Sequence, residues 1–184
     1  MLLVIKLHPT NIIIKDKVSA SKEIKIDKFL DLNVKTDTSL IKIINNYSDI
    51  NSISELLDIF KGKSVFIDLW ATWCSPCIQE FKFSNSLYDF LNKNRVEIIY
   101  VSFDKGPSDI LWRNMIQEYK LSGNHVKACK RLRDDFTTLI WGGIDVSSIP
   151  HYLLFDKNKS LINKCTSHPS SGQKLFKEIE MALK

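Results

Sequence analysis

The chain has 184 residues, 44% of them hydrophobic and 26% charged, with 26 basic against 21 acidic residues and a formal net charge of +5. This is the balance of a soluble globular protein with one sizeable core; its lysines are scattered instead of gathered into blocks, which argues against a nucleic-acid partner. The apolar start MLLVI is broken at Lys6, too soon for a signal h-region or a membrane span, and four cysteines (74, 77, 129, 165) in a chain of this length exclude a disulfide-stapled miniprotein.

In chain order, residues 1–50 carry Ile-rich alternation at 11–15 and 23–29 and a helical pattern at 38–47. They are expected to form an appended hairpin and linker ahead of a main domain at 51–184. Ser64-Val-Phe-Ile-Asp-Leu-Trp70, preceded by Gly62, reads as a buried strand in which the polar Asp68 is out of place. After Pro76 the apolar positions Ile78, Phe81, Phe83, Leu87, Phe90 and Leu91 approximate one face of a helix. Residues 96–103 predict a second buried strand, followed by a helix over 108–119 with Ser108 and Asp109 as caps.

Residues 120–148 are expected to be an insertion beside the site formed by the first cysteine pair, with a basic helical part at 126–135 and then Gly142-Gly143. Segments 151–155 and 160–165 flank the turn Asp156-Lys-Asn-Lys159 and predict a hairpin, and 173–183 a closing helix. The alternation is that of an α/β fold ending in an antiparallel pair and a helix. Neither an internal repeat nor a low-complexity segment is visible.

Cys74-Ser-Pro-Cys77 sits between the first strand and its helix. Thiol exchange needs a thiolate that attacks and a second thiol within reach that resolves the mixed disulfide, and two intervening residues at a helix start supply both. Cys74, at the helix N-terminus, is the expected attacker, its pKa lowered by unpaired N–H groups; Cys77, one turn in, is the expected resolving thiol. A zinc site would need a second ligand pair, and a c-type haem a His where the chain has Ile78; neither pattern is present. Two structural thiols that happen to be neighbours are the plain alternative.

FIDLWATWCSPC, with FKGK (60–63) leading into it and SIPHYLLFDKN further on, resembles the thioredoxin superfamily, specifically its TlpA/ResA-like extracytoplasmic branch, over about residues 51–184. The resemblance implies a thioredoxin fold, a central mixed sheet flanked by helices, here with an N-terminal extension and an insertion before the cis-proline strand. It implies that Pro150, preceded by Ile149, is that cis-proline and faces the cysteine pair, against an ordinary strand-start proline on the residues alone. It also implies that Asp68 is a buried carboxylate exchanging protons with Cys77, against a half-exposed strand residue. Glu80, one turn past Cys77, matches a glutamate near the thiols of ResA-like proteins, against a solvated helix residue.

The expected activity is thiol:disulfide exchange, as a reductase of protein disulfides held by Trp73, Ser75, Pro76, Ile149 and Pro150, with catalysis by Cys74, Cys77, Asp68 and Glu80. No metal or organic cofactor is implied. The partners implied are a protein thiol or disulfide substrate and an upstream electron-donor thiol protein. The resemblance points to the periplasm or cell envelope, and the absence of a visible export signal leaves a cytoplasmic reading beside it. A thiol peroxidase and a non-catalytic peptide-binding domain are the rival readings. Lys82 stands where thioredoxin-like helices often carry a proline, which predicts a straighter helix. His151 is expected at the surface, and Cys129 and Cys165 as structural or incidental thiols.

Overall fold

The computed structural model describes residues 40–144, 148–165 and 167–184, with the Cys165 side chain left aside. The alternating segments expected at 11–15 and 23–29 lie outside the described residues. Among the described residues twelve strands and α-helices follow in order: β1 (Ile41–Ile43), α1 (Ile53–Asp58), β2 (Ser64–Trp70), α2 (Ser75–Glu80), α3 (Ser84–Lys93), β3 (Val96–Ser102), α4 (Ile110–Glu118), β4 (Gly123–Lys127), α5 (Lys130–Trp141), β5 (His151–Phe155), β6 (Leu161–Cys165) and α6 (Gln173–Ala182). They build one six-stranded sheet of order β1-β4-β3-β2-β5-β6. The first four strands run parallel, and β5 and β6 are antiparallel to their neighbours. This is the expected mixed sheet flanked by helices.

The inner strands explain themselves. β2 and β3 are near-continuous apolar runs because a parallel strand is covered on both faces, and both are buried along almost their whole length. The β5–β6 turn is held by Asp156, whose Oδ1 accepts from Asn158 N at 2.9 Å and Ser160 N at 2.8 Å, while Lys159 takes a φ of 66°. Among the described residues no helix is long and apolar enough to cross a membrane.

Three expectations are corrected. Residues 41–43, within the helical pattern at 38–47, form strand β1, pairing with Gly123–His125 of β4; Ile41 and Ile43 alternate with exposed Lys42. Residues 123–127, expected in part as the start of a basic helix in an insertion, are the sheet strand β4, and the helix begins only at Lys130. Gly123 is obligatory at this crossing: its φ is 137°, and a Cβ there would lie 2.6 Å from Ile98 Cγ2. The helix after the cysteines is not straighter for lacking a proline, because a 3-10 turn at Phe81–Phe83 separates α2 from α3. That turn drives Phe81 into the core against Trp70 (5.1 Å between ring centroids) and Tyr119 (5.4 Å), while Leu87 and Leu91 of α3 stay buried.

Candidate active site

β2 delivers the chain to the carboxyl end of the sheet at Trp70, and the next three residues are tied there. Phe103 N donates to Trp70 O at 2.8 Å and Cys74 N to Ala71 O at 3.0 Å. Between them Asp104, 8% exposed just past β3, holds Thr72: both carboxylate oxygens accept from Thr72 N at 3.1 Å, and Oδ1 also accepts from Thr72 Oγ1 at 2.7 Å. Ser102 Oγ donates to Oδ2 at 2.6 Å. The approach to the cysteines is therefore a clamped loop.

Cys74 is the N-cap of α2, and its Sγ accepts from Cys77 N at 3.2 Å. Ser75 and Pro76 form the exposed first turn, where the missing N–H of proline costs no hydrogen bond. Cys74 and Cys77 are joined as a disulfide and are 3% and 1% exposed. The Ile149–Pro150 bond is cis, and the Ile149 carbonyl oxygen lies 3.5 Å from Cys74 Sγ. β5 brings it there, pairing His151 with Leu69 next to the end of β2. Trp73 stands out at 63% exposed beside the sulfurs.

Asp68 lies below this surface in the middle of β2, in register with Tyr100 of β3 and Tyr152 of β5. It is 3% exposed, and its Oδ1 has no hydrogen-bond partner among the described residues. Burial, and second the negative charge of Glu80, push its pKa up to about 8. The flanking Tyr100 and Tyr152 hydroxyls are likewise buried without a partner among the described residues, and burial followed by the charge of Asp68 raises both.

Glu80 ends α2 half-buried and is fastened to the 3-10 turn at Pro169–Ser171. Ser170 donates from N to Oε2 at 2.8 Å and from Oγ to Oε1 at 3.0 Å, and His168 Nδ1 is 3.8 Å from Oε1. His151 is half-buried instead of on the surface, edge-on to Trp141 at 5.5 Å; burial first and Lys164 second lower its pKa. The Cys129 thiol is free and donates to Ile50 O at 3.2 Å, tying the start of α5 to the loop before α1.

The fold thus brings Cys74, Cys77, Ile149 and Pro150 to one point, with Trp73, Ser75 and Pro76 exposed around it and Asp68 and Glu80 close enough for one carboxylate to shift the other. Asp104 and Ser170 were not picked out in the sequence. The first carries a faint signal, a carboxylate directly after an apolar strand; the second carries none.

Residues 62–161 match the family model described as thioredoxin-like. The chain is similar to thiol-disulfide oxidoreductase ResA of Bacillus cereus, 32% identical over 65% of this chain and 63% of that protein. It is similar too to ResA of Bacillus subtilis, 30% identical over 61% of this chain and 57% of that one. Both alignments span less than two thirds of the relative's length. Among solved structures, the thioredoxin domain of a thiol-disulfide oxidoreductase from Bacteroides vulgatus superposes with a TM-score of 0.54, 25% identity, and coverage of 70% of this chain and 84% of that one. A thiol:disulfide interchange protein from Bacteroides sp. gives 0.53 and 27% over 68% and 76%.

Proposed function

The chain belongs to the thioredoxin-like family, in its TlpA/ResA-like branch, and on that premise we propose that it is a thiol:disulfide oxidoreductase that reduces protein disulfides through Cys74 and Cys77. The observation that carries the reading is the pairing of these two sulfurs at a helix start, with Cys74 Sγ facing the Ile149 carbonyl across a cis-proline loop.

In the reduced protein the Cys77 N–H that reaches Cys74 Sγ favours its thiolate. That thiolate attacks one sulfur of the substrate disulfide, the substrate S–S bond breaks, and the other substrate sulfur leaves as a thiolate. Trp73, Ser75, Pro76, Ile149 and Pro150 form the surface that holds the substrate strand. Cys77 then loses its proton to Asp68 or Glu80 and attacks Cys74 Sγ; the Cys74–Cys77 bond forms and the second substrate thiol departs. Two electrons have passed to the substrate, and an upstream thiol protein returns them. A carboxyl raised to about 8 lies close to an ordinary thiol, so the proton moves with little free-energy difference in either direction.

The electrons reside in the sulfur pair itself, so the reaction calls for no metal or organic cofactor. The resemblance to an extracytoplasmic branch supports placing this exchange in the bacterial cell envelope. The test is the equilibrium of the Cys74–Cys77 pair in glutathione buffers, read by mass after alkylation. A potential near about −270 mV supports the reductase, one near about −120 mV makes the protein a disulfide donor, and Cys74→Ser is expected to abolish exchange. If no Cys74–Cys77 disulfide forms in any buffer, the oxidoreductase reading falls and a peptide-binding domain replaces it.

A further inference from the structure

Beside Trp73 a groove of about 730 Å³ runs along the start and the middle of α5, with Phe103 and Lys105 on the β3 side and Lys130, Arg133 and Thr138 on the helix. Three cations line it against one carboxylate, Asp134, which pairs with Lys130 Nζ at 2.6 Å, so the lining keeps a net charge of two positive units, those of Lys105 and Arg133. Lys105 is exposed, and the Lys130 side chain is 81% exposed. Arg133 is held in the wall by its Nη1 bond to Ala128 O at 2.6 Å, which fixes its charge in place.

We propose that this groove takes an acidic polypeptide segment flanking the disulfide that the protein reduces; the inference rests on the oxidoreductase reading. The geometry joins the two sites directly, because Trp73 both lines the groove and precedes Cys74 in the chain. A segment lying against α5 that passes over the exposed indole reaches the sulfurs within one residue of this protein's backbone. The charge of the lining selects the sign of the partner, and a concave site focuses that field, so acidic flanks raise the encounter rate and the correct register together. A second copy of this chain is a poor occupant, since it brings a net charge of +5 to a basic groove.

The pre-reduced full-length protein is offered two peptides, each with one intramolecular disulfide and identical except for flanking aspartates or lysines. The first-turnover rate is followed by alkylation and mass. At about 10 mM salt, where charges interact over about 30 Å, the acidic peptide is expected to react roughly tenfold faster; at about 1 M, where the range is about 3 Å, the ratio falls towards one. Joint charge reversal, Lys105→Glu with Lys130→Glu, is expected to bring the ratio to one or invert it. The same change in net charge made on α6, Lys174→Glu with Lys177→Glu, leaves the acidic preference in place. Equal rates for the two peptides in the unmodified protein, or a preference untouched by the groove reversals, would overturn the acidic-segment proposal while leaving disulfide reduction standing. If neither peptide is reduced at all, both readings fall.

Discussion

Asp68 in the middle of β2 and Asp104 just past the end of β3 are buried to a similar degree, 3% and 8% exposed, on neighbouring strands of one sheet. Their surroundings are opposite. Asp104 collects the backbone and hydroxyl donors of Thr72 and the hydroxyl of Ser102, so its negative charge is spread over fixed hydrogen bonds. Asp68 has an oxygen with no such partner among the described residues, and burial drives it towards the neutral acid. The same side chain is a clamp where donors surround it and tends to the neutral acid where they do not. The first fixes the loop that presents Cys74, and the second is the carboxyl proposed above to take the Cys77 proton.

Removing the clamp carries the largest expected effect. Asp104→Ala leaves the Thr72 N–H, Thr72 hydroxyl and Ser102 hydroxyl without their acceptor. A loss of roughly 4 kcal/mol in urea unfolding follows from the cost of stranded donors. Asp104→Asn keeps one acceptor oxygen and is expected to lose roughly half as much. Equal stability of the Ala variant and the parent would show that Thr72 finds other partners, and the contrast with Asp68 would lose its structural half.

Asp68→Asn is expected to act in the other direction. The folded protein holds the Asp68 proton up to about pH 8, while the unfolded chain releases it near the ordinary carboxyl value of 3.8. Between those limits the unfolded state binds fewer protons, so this group's contribution to stability is complete at low pH, declines as pH rises through the window, and levels off above about 8. Asn has no proton to hold, so the variant lacks that decline and gains on the parent as pH rises from about 4 to about 8. His125 works against this on the acid side. Its pKa is lowered to about 4, first by burial, so the unfolded state takes up protons that the folded one refuses, and stability falls as pH drops from about 6.5 towards 4. Melts of both proteins from pH 4 to 9 check the sign: curves that stay parallel would remove Asp68 as the source. In the same variant, resolution of the mixed disulfide should be slower than in the parent and keep only the rise with pH that ionisation of the Cys77 thiol itself supplies.

What was legible in the sequence divides along the same lines. Strands β2, β3 and β5 announce themselves by apolar, β-branched and aromatic runs, and Cys74 and Cys77 by a spacing contained in four residues. β4 reads GNHVK and hides: its Asn124, His125 and Lys127 are buried, but Asn124 is met from elsewhere by Ile98 O at 3.0 Å, Lys127 by the carbonyls of Gly106 and Ser108, and His125 at Nε2 by Leu121 O at 2.8 Å. Hydropathy registers the side chain and not its distant partner. β1, three residues long, has too few positions for a pattern. The partners of the site fail to show for the same reason, since Thr72 and Asp104 are 32 residues apart and Glu80 and Ser170 are 90.

The smallest expected effect is also the one that separates the two causes acting on Asp68. Burial is the first and the charge of Glu80 the second, and Glu80 is kept in place by the Ser170 N–H and hydroxyl. Glu80→Gln removes the charge and keeps one oxygen to accept from the Ser170 N–H, while its NH2 replaces the other acceptor and can donate to the Ser170 hydroxyl instead. Asp68 should then titrate at a lower pH than in the parent yet still above the ordinary carboxyl value, a shift readable by carbon-13 NMR of the Asp68 carboxyl. An unmoved or raised titration would mean that Glu80 does not act on Asp68 through its charge, and Glu80 would become a strut between α2 and the Pro169–Ser171 turn. A downward shift means that α2 and its N-cap carry, besides the two sulfurs, the charge that tunes the buried acid beneath them, so the seven residues from Cys74 to Glu80 would set both the electron pair and the proton of one reaction.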